Sequence, residues 1–214
     1  MSSFTSTSTS IVVPGARDVR ATLEEPGTDA SPSAIVVACP PHPQHGGNRS
    51  DRRLVALSDW LVDHGIACLR IDYGDWDEGR GERTDVTNAI RWAAERYDRV
   101  GVFGFSFGSA LALLASGGDP TVEAVAALAP PTRLGPDLEV LPVLESLAIP
   151  VLIAYGVRDT TVDWEPVVEL AEERGDRVLE WSADHFFIGQ HQAIAADVGS
   201  FFVETIGSAA LDRA

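Results

Sequence analysis

Lysine is absent from this 214-residue chain: all sixteen basic residues are arginine, and they face thirty-two acidic ones for a formal charge of −16. So strong an acidic excess removes nucleic acids and anionic membranes from the expected partners, because both are bound through basic patches. Cysteine is nearly absent. Cys39 and Cys68 each sit inside an apolar run, and no CxxC or metal-ligand spacing occurs. Two buried free thiols are expected, rather than a disulfide, a redox pair or a metal site. No apolar run approaches the roughly 18–20 residues that cross a bilayer. The opening MSSFTSTSTSIVVPG has no basic residue before Arg17 and no long apolar stretch. It does not read as a secretory signal, and the pair Arg52-Arg53 lies too far inside to mark a twin-arginine leader. The expected location is the cytoplasm. Internal repeats are lacking, and the one biased patch is the Ser/Thr-rich stretch 2–10.

A large charge of one sign favours solubility but strains the compact state by self-repulsion, which salt screens. An acid-rich chain without lysine therefore reads as one adapted to molar salt, as in the cytoplasm of a halophilic archaeon. A GC-rich genome that writes arginine for lysine is the plainer source of the same composition. Apolar residues make up 45% of the chain, enough for one core without metal or disulfide support. Residues 11–205 are expected to form a single domain between tails at 1–10 and 206–214, as a monomer or small homo-oligomer.

Apolar, β-branched runs alternate with helical periodicity. Residues 11–13 and 19–24 read as two edge strands joined by a Pro14-Gly15 turn. Ala34–Cys39 is continuously apolar, which suits a strand buried on both faces. Leu54, Leu57, Leu61 and Val62 have helical spacing within 52–64, ending at Gly65. Further strands are expected at 66–71, 100–105, Val122–Leu128, 151–155 and Arg177–Trp181. Helices are expected at 84–97, Phe107–Ser116, 166–174 and 188–205. This alternation implies a mostly parallel sheet covered on both faces. Only the proline-rich segment 130–150 offers room for a lid.

The sharpest local signal is Gly104-Phe105-Ser106-Phe107-Gly108, at the junction of an expected strand and an expected helix. In that setting Gly-x-Ser-x-Gly is a nucleophile elbow. The strained turn lifts the serine hydroxyl above the sheet, and strand and helix crowd where the glycines stand. A hydroxyl needs a base. Of five histidines, His185 lies between the last strand and the last helix, where the order serine, acid, histidine puts it. An acid that holds the imidazole should follow the strand at 151–155. Asp159 is the first choice there and Asp163 the alternative, with Asp184 too near His185 to reach its ring. Two backbone amides are needed to bind an oxyanion. Phe107 N–H is the first. The second should come from the loop after Cys39, where Pro41 and Pro43 have no N–H; His42 is the candidate, followed by Gln44.

Residues 103–108, the Pro41-His42-Pro43…Gly46-Gly47 stretch, Gly156…Asp159 and Ala183-Asp184-His185-Phe186-Phe187 together resemble the small α/β-hydrolases related to dienelactone hydrolases. They are similar, more narrowly, to a lidless bacterial and archaeal group with a His-Pro-His-Pro loop. The resemblance covers about residues 11–205. It implies a three-layer α/β/α sandwich with a mostly parallel eight-stranded sheet and no cap domain, hydrolysis of ester or related acyl bonds of a small substrate, and no cofactor. Three departures stand out. Pro40 replaces that group's first histidine, Tyr73-Gly74-Asp75-Trp76-Asp77-Glu78-Gly79 replaces a glycine- and serine-containing loop, and serine stands where dienelactone hydrolases proper have cysteine.

The acidic run Asp72, Asp75, Asp77, Glu78 is not an EF-hand, since Val86 occupies the twelfth position counted from Asp75. It reads as solvated surface. Trp76, Phe105, Phe107, Phe186 and Phe187 are candidates for the mouth of the site or for core packing. The alternative to an enzyme is a non-catalytic scaffold or binding protein on the same fold.

Overall fold

The computed structural model describes residues 6–17, 19–27 and 32–207; of the expected tails, 1–5 and 208–214 lie outside the described residues. In chain order the first elements are β1 (Thr7–Val13), β2 (Val19–Glu25), β3 (Ala34–Cys39), α1 (Arg52–Asp63), β4 (Ala67–Ile71), α2 (Arg80–Ala94), β5 (Arg99–Phe105) and α3 (Phe107–Ser116). They are followed by β6 (Val122–Leu128), β7 (Arg133–Gly135), β8 (Leu138–Glu139), α4 (Val140–Ser146), β9 (Val151–Gly156), α5 (Glu165–Arg174), β10 (Arg177–Trp181) and α6 (His191–Ile206). Eight strands form one sheet in the order β1-β2-β4-β3-β5-β6-β9-β10. β1 and β2 run antiparallel to their neighbours, and the rest of the sheet is parallel.

Successive side chains of a strand point to opposite faces, and here that rule sorts the apolar residues into two cores. On β3, Ile35, Val37 and Cys39 enter one core while Ala34, Val36 and Ala38 enter the other. α2, α3 and α5 close the first core; α1 and α6 close the second. The result is a three-layer α/β/α sandwich. Both cysteines are free and buried, one in each core. Burial pushes the Cys68 thiol up to about 12 and the Cys39 thiol higher, so neither ionises near neutrality.

Several boundaries differ from expectation. β1 opens at Thr7 rather than at residue 11, because Thr7 to Ser10 continue the antiparallel ladder with Thr22 to Glu25. The proposed tail 1–10 is thus shortened. α2 begins at Arg80, four residues before the expected start, because the Glu82 carboxylate accepts the Gly79 N–H at 2.8 Å and caps a turn that apolar periodicity does not mark. α6 starts at His191 rather than at residue 188. The segment 130–150 holds the two-stranded β7–β8 hairpin and α4 in place of an extended lid. No helix among the described residues is long and apolar enough to cross a membrane.

Candidate active site

Ser106 stands between β5 and α3 with φ 55° and ψ −120°, a region that costs a non-glycine residue about 1–3 kcal/mol. The sheet holds it there: Ser106 N–H donates to Leu128 O of β6 at 2.8 Å. The two glycines of the motif are sites of close backbone approach. A Cβ on Gly104 would lie 2.1 Å from Gly108 O, and one on Gly108 would lie 2.3 Å from both Cys39 O and Pro40 O. Strand, elbow and helix can therefore meet only where these side chains are missing. Phe105 and Phe107, on either side of the serine, point into opposite cores.

His185 and Asp159 reach Ser106 from the loops after β10 and β9. His185 Nε2 is 2.9 Å from Ser106 Oγ, and His185 Nδ1 is 2.7 Å from Asp159 Oδ2. A carboxylate only accepts, so Nδ1 carries the proton and Nε2 is left to accept the serine hydroxyl. The Asp159 side chain is fully buried and that of His185 nearly so. Asp159 Oδ1 is fixed by the Thr161 N–H at 2.8 Å. Arg158 N–H donates to Ala183 O at 2.9 Å, tying the acid's loop to the histidine's loop. Asp163 is exposed and accepts from Thr132 Oγ1 at 3.2 Å. Asp184 caps the Phe186 N–H at 3.0 Å. Of the three acids considered, Asp159 is the one brought to the imidazole.

The loop after β3 turns through a short 3-10 segment, Pro43–His45. His42 O accepts the N–H groups of His45 and Gly47, each at 3.0 Å. The Gln44 N–H donates to the His42 ring at 3.3 Å and is not offered to the site. Among the described residues, the backbone N–H groups of Phe107 and His42 have no assigned intramolecular acceptor. Both residues line the cavity above Ser106. The His42 ring stacks on His45 (4.6 Å) and lies 4.8 Å from the Phe107 ring. Burial first, and then His45, lower its pKa below the ordinary value.

The cavity, of about 650 Å³, is walled by Trp76, Phe105, Phe107, Leu134, Val162 and Phe186. Phe187 is not in the wall: it is wholly buried and packs edge-on against Phe105 at 6.3 Å. Sequence reasoning missed Arg53 and Arg133, which also line the cavity. Arg53 lies 4.0 Å over the Phe105 ring and donates to Phe186 O at 2.9 Å, while pairing with Asp51. No local motif marks it, since Asp51 is two residues away but Phe105 and Phe186, which aim it at the cavity wall, lie far along the chain. Apart from Asp72, which pairs with Arg49, the acidic loop is exposed at Asp75, Asp77 and Glu78.

Comparison with known proteins places this geometry among others. A curated relative, an uncharacterised protein of Rickettsia prowazekii, is 26% identical over 192 residues, covering 81% of this chain and 80% of the relative. A dienelactone hydrolase from Anabaena variabilis has a solved structure similar at TM-score 0.75 and 23% identity, covering 94% of this chain and 98% of that one. An α/β serine hydrolase without lid from Xanthomonas campestris matches at TM-score 0.73 and 21% identity, covering 92% of each chain. These likenesses establish the α/β-hydrolase fold. The model of the dienelactone hydrolase family matches residues 76–192, a span that contains Ser106, Asp159 and His185.

Proposed function

The chain belongs to the dienelactone hydrolase family, and from that premise we propose that it is a serine hydrolase cleaving carboxylic ester bonds of a small substrate. The observation that carries this reading is the hydrogen-bonded series Ser106–His185–Asp159, at 2.9 and 2.7 Å, opening onto an apolar cavity. Ser106 Oγ attacks the carbonyl carbon as its proton passes to His185 Nε2. Asp159 keeps the ring in the tautomer that can accept that proton and stabilises the imidazolium that results. The oxyanion lies against the N–H groups of Phe107 and His42, the former at the positive end of α3. Collapse expels the alcohol, which takes the proton from His185. Water, deprotonated by the same imidazole, then attacks the acyl-enzyme, releasing the acid and restoring the serine hydroxyl. Every step is carried by groups of this chain.

A fluorophosphonate probe tests the reading. Wild-type protein is expected to label stoichiometrically and Ser106→Ala not at all, read by intact-protein mass. An unlabelled wild type, in dilute buffer and in molar potassium chloride alike, would favour the non-catalytic scaffold instead.

The composition supports a second element of this reading, adaptation to salt. With twice as many acidic as basic residues, the folded surface repels itself, and the screening length falls from about 10 Å at 0.1 M to about 3 Å at 1 M salt. The melting temperature is expected to rise by several degrees between 0.1 and 2 M potassium chloride, followed by circular dichroism. A melting temperature independent of salt counts against halophilic adaptation and leaves codon bias as the source of the missing lysines.

A further inference from the structure

Two segments that set this chain apart, Pro40 and the loop from Tyr73 to Gly79, meet beside the oxyanion site. Tyr73 donates its hydroxyl to Pro40 O at 2.8 Å. Its ring stands edge-on to Phe107 at 5.7 Å and 80°. The same Pro40 carbonyl abuts Gly108 of α3, where a Cβ would lie 2.3 Å away. Three residues beyond Tyr73, Trp76 lies 4.6 Å from the His42 ring and 5.7 Å from Phe107. The loop is in turn held by α2. Glu82 accepts the N–H groups of Asp77 and Gly79, each at 2.8 Å, and Asp85 accepts that of Gly74 at 2.9 Å. Both carboxylates are fully buried, and neither has a part in the chemistry of Ser106.

The covalent geometry makes the Tyr73 bond consequential. Pro41 has its φ locked by its ring, so only its ψ separates the Pro40–Pro41 peptide from the peptide that carries the His42 N–H. That remaining torsion is backed by Gly47, where a Cβ would lie 2.1 Å from Pro41 O. Fixing the Pro40 carbonyl therefore aims the His42 N–H. We propose that Tyr73 is a positioning residue for the oxyanion hole, its hydroxyl orienting the His42 amide through Pro40 and Pro41 and its ring seating Phe107. This rests on the reading of Ser106 as nucleophile. Burial holds the Tyr73 phenol well above its usual pKa, so it remains a donor across the working range of an esterase.

Tyr73→Phe removes the hydroxyl and keeps the ring. Misaiming one of two oxyanion donors is expected to lower kcat about 10- to 100-fold while KM changes less than about threefold. Affinity for a phenylboronic acid, which adds to the serine and mimics the oxyanion, falls by the same factor. A purely packing role would lower the melting temperature and leave kcat and boronate affinity unchanged, and that result overturns the proposal. Should Tyr73→Phe fail to melt cooperatively, Glu82→Gln carries the test. It loosens the loop without touching Tyr73, and is expected to lower kcat at unchanged KM; an unchanged kcat there overturns the proposal. Wild-type protein without Ser106-dependent esterase activity overturns the underlying reading and this inference with it. An active wild type with an indifferent Tyr73→Phe overturns the inference alone.

Discussion

Ser106→Ala is expected to lower kcat for a p-nitrophenyl ester by about 10⁴- to 10⁶-fold, and adding His185→Ala and Asp159→Ala is expected to lower it little further. On the proposed mechanism the three groups act as one proton-handling unit, so loss of the serine leaves the other two little to contribute, and the residual rate reflects binding and the two amides alone. Asp159→Asn keeps the shape of the site but lets Nδ1 sit unprotonated, which turns the Nε2 proton toward Ser106. A loss of about 10³- to 10⁴-fold is expected from the wrong tautomer. Asp163→Asn should stay within about twofold of wild type, because that carboxylate is exposed and faces Thr132 rather than the imidazole. Steady-state kinetics on variants shown by circular dichroism to be folded decide the matter. A near-normal Asp159→Asn beside a disabled Asp163→Asn would reassign the acid, and fully additive single losses would mean that the three do not act together.

Gly108→Ala is expected to destabilise the fold by about 2–4 kcal/mol and to depress kcat together with it. Its new Cβ would sit 2.3 Å from the carbonyl oxygens of Cys39 and Pro40, and both belong to backbone that cannot swing aside as a flexible side chain would. Relief requires α3 to draw away from β3, which moves the Phe107 amide and the His42 loop at once. Gly118→Ala is the control: a Cβ there meets nothing within 4 Å, and a change within about 0.5 kcal/mol is expected at such a surface position. Urea midpoints at equal m-values give the comparison. If the two variants unfold at the same urea concentration, the close approach at the elbow is not what fixes its geometry.

The middle of the sheet was legible because its central strands are buried on both faces and read as largely apolar runs, as at Ala34–Cys39. The elbow was legible because the serine's strained turn demands glycine on either side within five residues. Asp159 followed from chain order and nearness to a strand end, and Asp163 remained open because only the fold decides which carboxylate turns inward. Other features lay beyond local reading. Thr7 to Ser10 look like a polar tail until the ladder partner is known. The start of α2 depends on Glu82 reaching back to Gly79, a cap that apolar periodicity does not register. Phe186 and Phe187 are adjacent and chemically alike, yet one is 54% exposed at the cavity and the other is wholly buried. Tyr73 bonds a carbonyl 33 residues earlier, and tyrosine at a strand end carries no sign of such a partner. Pairings across the sheet's edge are set by topology, and topology is what a single sequence shows least.

The flanking phenylalanines 105 and 107 anchor the Ser106 turn to both sides of the sheet. Such a rivet carries any loosening of either core to the turn between them. On warming, ester cleavage is then expected to be lost no later than the sandwich itself.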